Sequence, residues 1–207
     1  MLALVLAVAT TTTGCQTGRM VISDVPLEKI EPVGAPGSLR AGVRGLARLE
    51  SSVYQSELER QLARSLEHAG LFASVAHGDF ADEDVDLLLR VDKADVSFRR
   101  HVNLAYFPLA LATLTIYIWV GGPIQTDEQF YDVTLHAEKP GGEALFSVTS
   151  TLKKDHWLNL YTKESWNQQI MCRGPHAYRM MNDLVSQLAA KLRGADLALA
   201  RGATRPR

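Results

Sequence analysis

Residues 130–152 read FYDVTLHAEKPGGEALFSVTSTL, and this stretch decides the fold class. Apolar and polar residues alternate through 130–137 and again through 144–152, which is the period of a half-buried β-strand. The connecting residues 138–143 include a Pro-Gly-Gly sequence, and proline and glycine favour a turn. The stretch therefore predicts a β-hairpin in a sheet that is covered on one face.

An amphipathic helix is predicted at 53–69, upstream of the hairpin. Leu58, Leu62 and Leu66 recur at intervals of four residues, so they fall on one face of a helix, and a glycine follows its end. A second helix is predicted to begin after Pro175, because proline is favoured in the first turn. Its apolar stripe comprises Ala177, Met180, Met181, Leu184, Val185, Leu188 and Leu192.

Shorter apolar segments at 40–49, 71–75 and 85–91 predict the remaining strands. The element order then runs strand, helix, strands, hairpin, helix. This order predicts an α+β fold with an antiparallel or mixed sheet of about four to six strands covered by two helices. A single folded domain is expected over 40–193, and a flexible tail over 194–207.

The N-terminus carries the pattern of a targeting signal. Residues 2–9 are apolar, and a run this short cannot span the ~30 Å hydrocarbon core of a bilayer as a helix. Residues 12–15, Thr-Thr-Gly-Cys, resemble the lipobox of bacterial lipoproteins. The resemblance implies that residues 1–14 are a cleaved signal peptide and that Cys15, acylated with diacylglycerol and palmitate-like chains, becomes the new N-terminus. An ordinary cleaved signal with an incidental cysteine, or an uncleaved apolar N-terminus, are the alternatives.

Residue 16 sets the expected destination. In the lipoprotein family the inner-membrane retention signal is Asp after the cysteine, whereas this chain has Gln16. The resemblance therefore implies the periplasmic face of the outer membrane. Two acyl chains make a lasting anchor, because each buried methylene contributes ~0.8 kcal/mol. Residues 15–39 are predicted to be a lipidated N-terminus and tether; alternatively, their apolar side chains add an edge strand or pack on a neighbouring segment.

Composition narrows the range of partners. The formal net charge is -1, and Lys and Arg are spread along the chain, which argues against nucleic acid as a partner. The chain has 2 cysteines, so lipidation of Cys15 leaves Cys172 without an intramolecular disulfide partner, and Cys172 is interpreted as a small buried side chain. The expected partners are a membrane, through the N-terminal lipid, and envelope proteins or further copies of this chain.

Residues 102–124 contain no Asp, Glu, Lys or Arg and are rich in Leu, Ile, Tyr and Trp. Three structures fit this composition. A run of this length can span a bilayer as a helix. Pro108 divides the run, so strands of a buried core or hairpin fit as well, and we favour this hypothesis. The third hypothesis is an apolar loop that inserts into a membrane or packs in an oligomer.

The sequence contains no recognisable catalytic motif. Its 6 histidines are scattered, and it has neither a Gly-x-Ser-x-Gly elbow nor a His-Glu-x-x-His or Cys-x-x-Cys spacing. We therefore expect a protein that is not an enzyme and that uses no metal or cofactor. The alternatives to a protein-binding role are a lipid or apolar-ligand carrier with a cavity lined by residues 104–120, and a membrane-spanning subunit that uses residues 102–124.

The combined pattern resembles a group of bacterial envelope lipoproteins. A lipobox-like N-terminus, a helix ending in Ala-Gly-Leu-Phe at 69–72, a strand at 85–91 and a late helix after Pro175 are similar to the curli-secretion lipoprotein and the N-terminal domain of the Tol-system periplasmic protein. Members of that group act in secretion, export or envelope assembly, commonly as oligomeric rings. The resemblance implies a non-enzymatic outer-membrane lipoprotein with such a role.

Overall fold

The computed structural model describes residues 16–33, 39–45, 52–113, 115–162 and 174–202. The chain divides into two compact units. The core unit comprises Val21–Asp95, Tyr131–Leu152 and Arg173–Arg207, and the loop unit comprises Met1–Met20, Val96–Phe130 and Lys153–Cys172. Cys15 and Cys172 lie outside the described residues.

The described residues form six strands, four α-helices and two short 3-10 helices. The strands are β1 (Gln16–Arg19), β2 (Arg40–Arg44), β3 (Ser74–His77), β4 (Leu87–Val102), β5 (Gln125–Glu138) and β6 (Ala144–Leu158). The helices are α1 (Ser52–His68), α2 (Tyr106–Ala112), α3 (Ile116–Trp119) and α4 (Ala177–Gly202). The 3-10 helices cover Leu27–Lys29 and Asp82–Asp84.

The strands form one mixed sheet, which confirms the predicted α+β class. The strand order is β3-β2-β4-β5-β6, and β1 also pairs with β4. β2 runs parallel to both neighbours, with Val43 opposite Leu89 of β4. β1 runs antiparallel to β4, with Gln16 opposite Arg100. The parallel neighbours β2 and β3 are joined through α1, because parallel strands need a long crossover connection.

The core unit buries the apolar faces of its two long helices. α1 packs against β2, β3 and α4. The fully buried side chains of this unit include Val43, Leu62, Leu66, Leu89, Val133, Leu135, Met180, Leu184 and Leu188. Burying one such side chain contributes about 1.5–3 kcal/mol, so the periodicity that places leucines on one helix face also fixes the packing.

α1 ends and α4 begins close to the predicted positions. Gly70 follows α1 with a φ of 68°, the left-handed conformation that commonly ends a helix. α4 begins at Ala177, as expected from Pro175, and continues through Gly194 to its end at Gly202. An isolated glycine in a helix interior costs only ~1 kcal/mol relative to alanine, so Gly194 does not by itself end the helix.

Residues 16–33, predicted as part of a tether, pack into the fold. β1 is a strand of the sheet, and in the core unit Ile22, Val25 and Ile30 are buried. The Val25 N–H donates a hydrogen bond to the Gln61 side-chain carbonyl over 3.3 Å. These contacts agree with the alternative that apolar residues of this segment pack on their neighbours.

The predicted hairpin is present, and both of its strands are longer than the alternating pattern indicates. The turn is closed by the Lys139 N–H, which donates to the Glu143 carbonyl over 2.8 Å, and by the Gly142 N–H, which donates to the Lys139 carbonyl over 3.0 Å. β5 begins already at Gln125, and β6 continues to Leu158. The additional residues are mostly polar, and they belong to the loop unit.

Candidate functional site

A loop of residues 103–124 joins β4 to β5 in the loop unit, and hydrogen bonds hold its two ends together. The Asn103 N–H donates to the Ile124 carbonyl over 2.8 Å, and the Asn103 side-chain amide donates to the Pro123 carbonyl over 2.9 Å. The Ile124 N–H in turn donates to the Leu158 carbonyl of β6 over 2.8 Å. The loop therefore starts and ends at the same point of the sheet.

The short helices α2 and α3 form this loop, and Tyr106 is its buried centre. The Tyr106 ring lies edge-on to Phe107 at 5.4 Å and to Tyr117 at 5.8 Å between ring centroids. Burial, followed by the neighbouring Tyr117 and Tyr161 phenols, raises the pKa of Tyr106 above its ordinary value. A Cβ at Gly122 would overlap the Tyr117 ring, so this position requires glycine.

Two threonines fix the turn between the helices. The Thr113 hydroxyl donates to the Leu109 carbonyl over 2.7 Å and accepts the Tyr117 N–H over 3.1 Å. Thr115 has a φ of 72°, and its N–H donates to the Ala110 carbonyl over 2.7 Å. A β-branched residue in this left-handed conformation costs about 1–3 kcal/mol and persists only where its surroundings hold it. These hydrogen bonds therefore hold Thr113 and Thr115 against the helices on either side.

Twelve backbone N–H groups of the loop donate to acceptors within the loop. The acceptors are carbonyls of the loop together with the side-chain oxygens of Asn103 and Thr113. The N–H groups bonded in this way belong to Ala105, Tyr106, Leu109, Thr113, Thr115, Ile116, Tyr117, Ile118, Trp119, Val120, Gly121 and Gly122. These donors are already engaged before any partner binds.

The outer side of the loop is apolar. We call the following six side chains the apolar surface, and each is exposed over 53–77% of its area: Leu104, Phe107, Leu111, Ile116, Trp119 and Val120. The absence of Asp, Glu, Lys and Arg extends over residues 102–126. Single exposed apolar residues are ordinary, but several large ones on one short loop indicate a place where a protein contacts another molecule. This surface is the candidate functional site.

This arrangement bears on the hypotheses for residues 102–124. The favoured prediction of a buried core or hairpin is wrong, because the run forms two short helices and most of its large apolar side chains are exposed. In the part of the chain that the structure describes, no helix combines the length and the apolar character needed to cross a membrane. Pro108 lies in the first turn of α2, where proline is tolerated. The two short helices agree with a loop, whereas insertion of that loop into a membrane or its packing in an oligomer stays a prediction.

The strands of the loop unit bury polar side chains. Arg100 donates two hydrogen bonds to Asp127, from Nε to Oδ1 and from Nη2 to Oδ2, both over 2.7 Å, and the two side chains are 5% and 0% exposed. Gln125 and Gln129 are also buried, on the same face of β5 as Asp127. Such a bidentate pair satisfies both charges, which makes their burial tolerable.

We call the buried side chains of Arg100, Gln125, Asp127 and Gln129 the polar strip, and basic side chains lie near it on β4 and β6. The Glu128 carboxylate accepts Lys153 Nζ at 3.4 Å and lies 3.6 Å from His101 Nε2. Burial by itself would raise the pKa of Glu128, but the hydrogen bonds and charges of Lys153 and His101 outweigh it and hold that pKa below its ordinary value. Arg99 is exposed, and Lys154 is half-buried.

The sequence and the structure differ in what they reveal of the site. Cys15, the predicted lipidation residue, lies outside the described residues, although its neighbour Gln16 begins β1. Sequence reasoning identified the apolar run but missed the Arg100–Asp127 pair. The available signal was the spacing of the polar residues Gln125 and Asp127, which are two positions apart and would therefore share one face of a strand. Within the described ranges, no three His, Cys, Asp or Glu side chains form a cluster that could hold a metal.

Comparison with known proteins gives little direct guidance. No family model matches the chain, and no curated protein matches it. Among solved structures, the minor lipoprotein from Acinetobacter baumannii is similar with a TM-score of 0.41 and 17% identity, covering 77% of this chain and 94% of that one. Rare lipoprotein B from Shewanella oneidensis has a TM-score of 0.39 and 16% identity, covering 78% of this chain and 98% of that one. Neither likeness is close enough to assign a function.

Proposed function

We propose that this chain is an outer-membrane lipoprotein that acts as a non-enzymatic component of envelope assembly, secretion or export. Cys15 carries the lipid anchor on the periplasmic face, and the folded part acts by binding. The observation that carries the binding role is the apolar surface. It places six large apolar side chains in contact with solvent on a loop whose conformation is fixed.

The free energy gained by covering these side chains favours a surface that binds a partner. Covering one exposed Leu, Phe, Ile or Trp side chain is worth about 1.5–3 kcal/mol, so a partner that covers several of them gains enough for a stable contact. The buried Tyr106 ring, the strained Thr115 and the engaged backbone donors fix the loop before binding. A preformed surface loses little conformational entropy when a partner arrives.

The alternative functions fit these residues less well. A carrier of an apolar ligand needs a concave site lined by the run, yet Phe107, Leu111 and Trp119 are among its most exposed side chains. A membrane-spanning subunit needs one long apolar helix, whereas the run is divided into α2 and α3. These two observations favour a contact surface over either alternative.

The lipid anchor is supported by the sequence before Gln16. The Thr-Thr-Gly-Cys pattern at 12–15 resembles a lipobox, and Gln16 occupies the position where the inner-membrane retention signal has Asp. β1 starts at Gln16, the residue that follows the proposed acylated cysteine in sequence. A lipid on Cys15 would therefore hold the loop unit close to the membrane.

Metabolic labelling with a palmitate analogue, followed by membrane fractionation, tests the anchor. We expect the wild-type chain to take up label and fractionate with the outer membrane, and the Cys15→Ser variant to take up none. Cys172→Ser is the matched control, because it removes the other cysteine and should label like wild type. Label that persists in Cys15→Ser, or that disappears in Cys172→Ser, would contradict the proposed anchor.

A role in envelope assembly also predicts a phenotype in living cells. Deleting the gene in the producing bacterium should raise outer-membrane permeability to a large antibiotic that an intact outer membrane excludes. A Cys15→Ser allele should reproduce this effect, whereas Cys172→Ser should not. Unchanged permeability and unchanged amounts of outer-membrane proteins in the deletion strain would argue against a role in envelope assembly.

A further inference from the structure

We propose that the apolar surface docks into the same lipid monolayer that holds the acylated N-terminus, which gives the chain a second membrane contact made by side chains. This inference deepens the proposed function and rests on its anchor at Cys15. The occupant of the surface is a lipid layer with anionic headgroups. A protein partner or a second copy of the chain would be a different outcome of the test below.

The strand register brings the anchor and the loop to the same end of the loop unit. β1 and β4 are antiparallel, and Gln16 lies opposite Arg100. The start of β1 therefore lies beside the end of β4. A peptide bond keeps the α-carbon of residue 15 within 3.8 Å of that of Gln16, and Asn103 follows Arg100 by about 10 Å of strand. The lipid and the apolar loop thus leave the sheet together.

The composition of the loop suits a membrane interface. Leu, Phe, Ile and Val make up the apolar surface together with Trp119, and Trp, Phe and Leu are the side chains that peripheral helices bury at the boundary between headgroups and acyl chains. Two further aromatics are exposed in the same unit, Trp157 at 69% and Tyr161 at 63%. The Asn159 side-chain amide, between them in sequence, donates to the Gly121 carbonyl over 3.3 Å. Trp and Tyr are enriched at membrane interfaces because their rings are amphipathic.

The hydrogen bonding of the loop favours lipid over protein. In a bilayer no water is available to backbone donors, so a segment that enters it must satisfy them internally. The N–H groups from Thr115 to Gly122 all donate within the loop, and the Thr113 hydroxyl donates to Leu109. A protein interface typically forms about one hydrogen bond per 100–200 Å², and these donors are already engaged.

Charge complementarity points to anionic headgroups. Arg99 lies one position before Arg100, the residue opposite Gln16, and is exposed. Lys153 is more than half exposed and Lys154 is half-buried on β6, where Lys153 also pairs with Glu128. Basic residues near an anionic membrane surface are attracted to it over a distance of about one Debye length. The lipid anchor makes this contact intramolecular, so the affinity that the loop has for vesicles on its own acts at a high effective concentration of lipid.

Vesicle partitioning of a chain that starts at Gln16 tests the docking without the anchor. Every described element lies at or after Gln16, so this chain retains all of them. Vesicles of phosphatidylethanolamine with phosphatidylglycerol are titrated, and bound protein is measured by co-sedimentation. We expect Leu111→Ser to lower the partition coefficient at least about tenfold, because one large apolar side chain no longer enters the lipid.

Leu145→Ser is the matched control, since Leu145 is an exposed leucine of the core unit outside the apolar surface. It should change partitioning less than about twofold, because the side chain stays in water in both states. An unchanged urea midpoint in both variants shows that the comparison reports binding. Equal effects of the two substitutions, or no partitioning of the wild-type chain, overturn the proposal.

Tryptophan quenching locates the loop directly. The chain has 3 tryptophans, so Trp157→Phe with Trp166→Phe leaves Trp119 as the sole reporter. Brominated acyl chains should quench Trp119 and shift its emission to the blue. A tryptophan introduced by Leu145→Trp, with all three native tryptophans replaced by phenylalanine, should show neither change.

Other results would distinguish docking of the loop in lipid from self-association and from acylation of Cys15. If Trp119 is not quenched, and Leu111→Ser instead dissociates an oligomer in sedimentation analysis, the surface binds another copy and the lipid proposal is wrong. The vesicle assay uses no Cys15, so it gives its answer whether or not the labelling experiment finds acylation. Positive partitioning without acylation would leave the docking intact and remove the proposed anchor.

Discussion

At alternate positions of β5, the core unit buries Val133 and Leu135, whereas the loop unit buries Asp127 and Gln129. The exposed side chains show the reverse contrast, because the loop unit exposes large apolar groups such as Leu111. The core unit thus uses its apolar side chains for its own stability. The loop unit also buries polar contacts, and several of its large apolar side chains remain exposed.

The difference shows that burial at every second residue marks a strand whether the buried side chains are apolar or polar. A strand can bury glutamine and aspartate if each finds a partner, as Asp127 does in Arg100. The cost is that such a face depends on a few specific contacts. Stability should therefore respond to different substitutions in the two units.

Breaking the Arg100–Asp127 pair should have the largest effect. Asp127→Ala removes the bidentate acceptor of a guanidinium that is 5% exposed, and we expect the free energy of unfolding to fall by about 3–5 kcal/mol. Urea denaturation followed by tryptophan fluorescence measures this change, because Trp119 and Trp157 belong to the loop unit.

The double variant Arg100→Met with Asp127→Leu provides the control for this prediction. Replacing both charges with apolar side chains of similar size removes the buried charge altogether, so most of the lost stability should return. A cost below about 1 kcal/mol for Asp127→Ala would show that the polar strip does not hold the loop unit together.

A pair of leucine substitutions contrasts the two units with identical chemistry. Leu66 is fully buried in the core unit, and Leu66→Ala should cost about 2–5 kcal/mol because it leaves a cavity. Leu111 is 77% exposed, and Leu111→Ala should change stability by no more than about 0.5 kcal/mol. Urea denaturation of both variants measures the difference. Similar costs would mean that the loop side chains are packed as a core.

Acid should weaken the two units through different carboxylates, with the smallest effect of the three predictions. The pKa of Glu128 is held below its ordinary value of 4.5, so the stability it contributes is complete above that pH and is lost as the pH falls through the lowered value. Glu128→Gln should therefore flatten the acid side of a stability profile measured by tryptophan fluorescence between pH 7 and 3.

The matched variant in the core unit is Asp86→Asn. Hydrogen bonds from the Arg40 side chain and backbone lower the pKa of Asp86. Asp86→Asn should flatten the acid response of far-ultraviolet circular dichroism, which is dominated by α1 and α4 in the core unit. If either substitution changes both signals equally, the two units do not respond to acid separately.

The core unit was largely predictable from the sequence because its patterns are apolar. Leu58, Leu62 and Leu66 define α1, and the alternation of Val133 and Leu135 defines the hairpin strand. In these elements, local propensity, periodicity and burial all agree.

The loop unit was less predictable because local propensity, periodicity and burial do not agree there. Gln125 and Gln129 alternate with half-buried residues, but polar side chains at buried positions concealed the first part of β5. The apolar run contained β-branched and aromatic residues that favour strands, yet Thr113 and the left-handed Thr115 break it into helices. Hydrogen bonds between specific side chains decide such cases, and periodicity does not record them.

β6 has a further consequence as the last strand in the described order of the sheet. A strand at that position can pair with an edge of another molecule, which leads to aggregation. Lys153 and Lys154, together with Asp155, place charges along β6 that repel edge-to-edge pairing. High salt would screen these lysines and strengthen contacts between apolar loops at the same time. Concentrated preparations should therefore keep best at low ionic strength, with a mild detergent covering the loop.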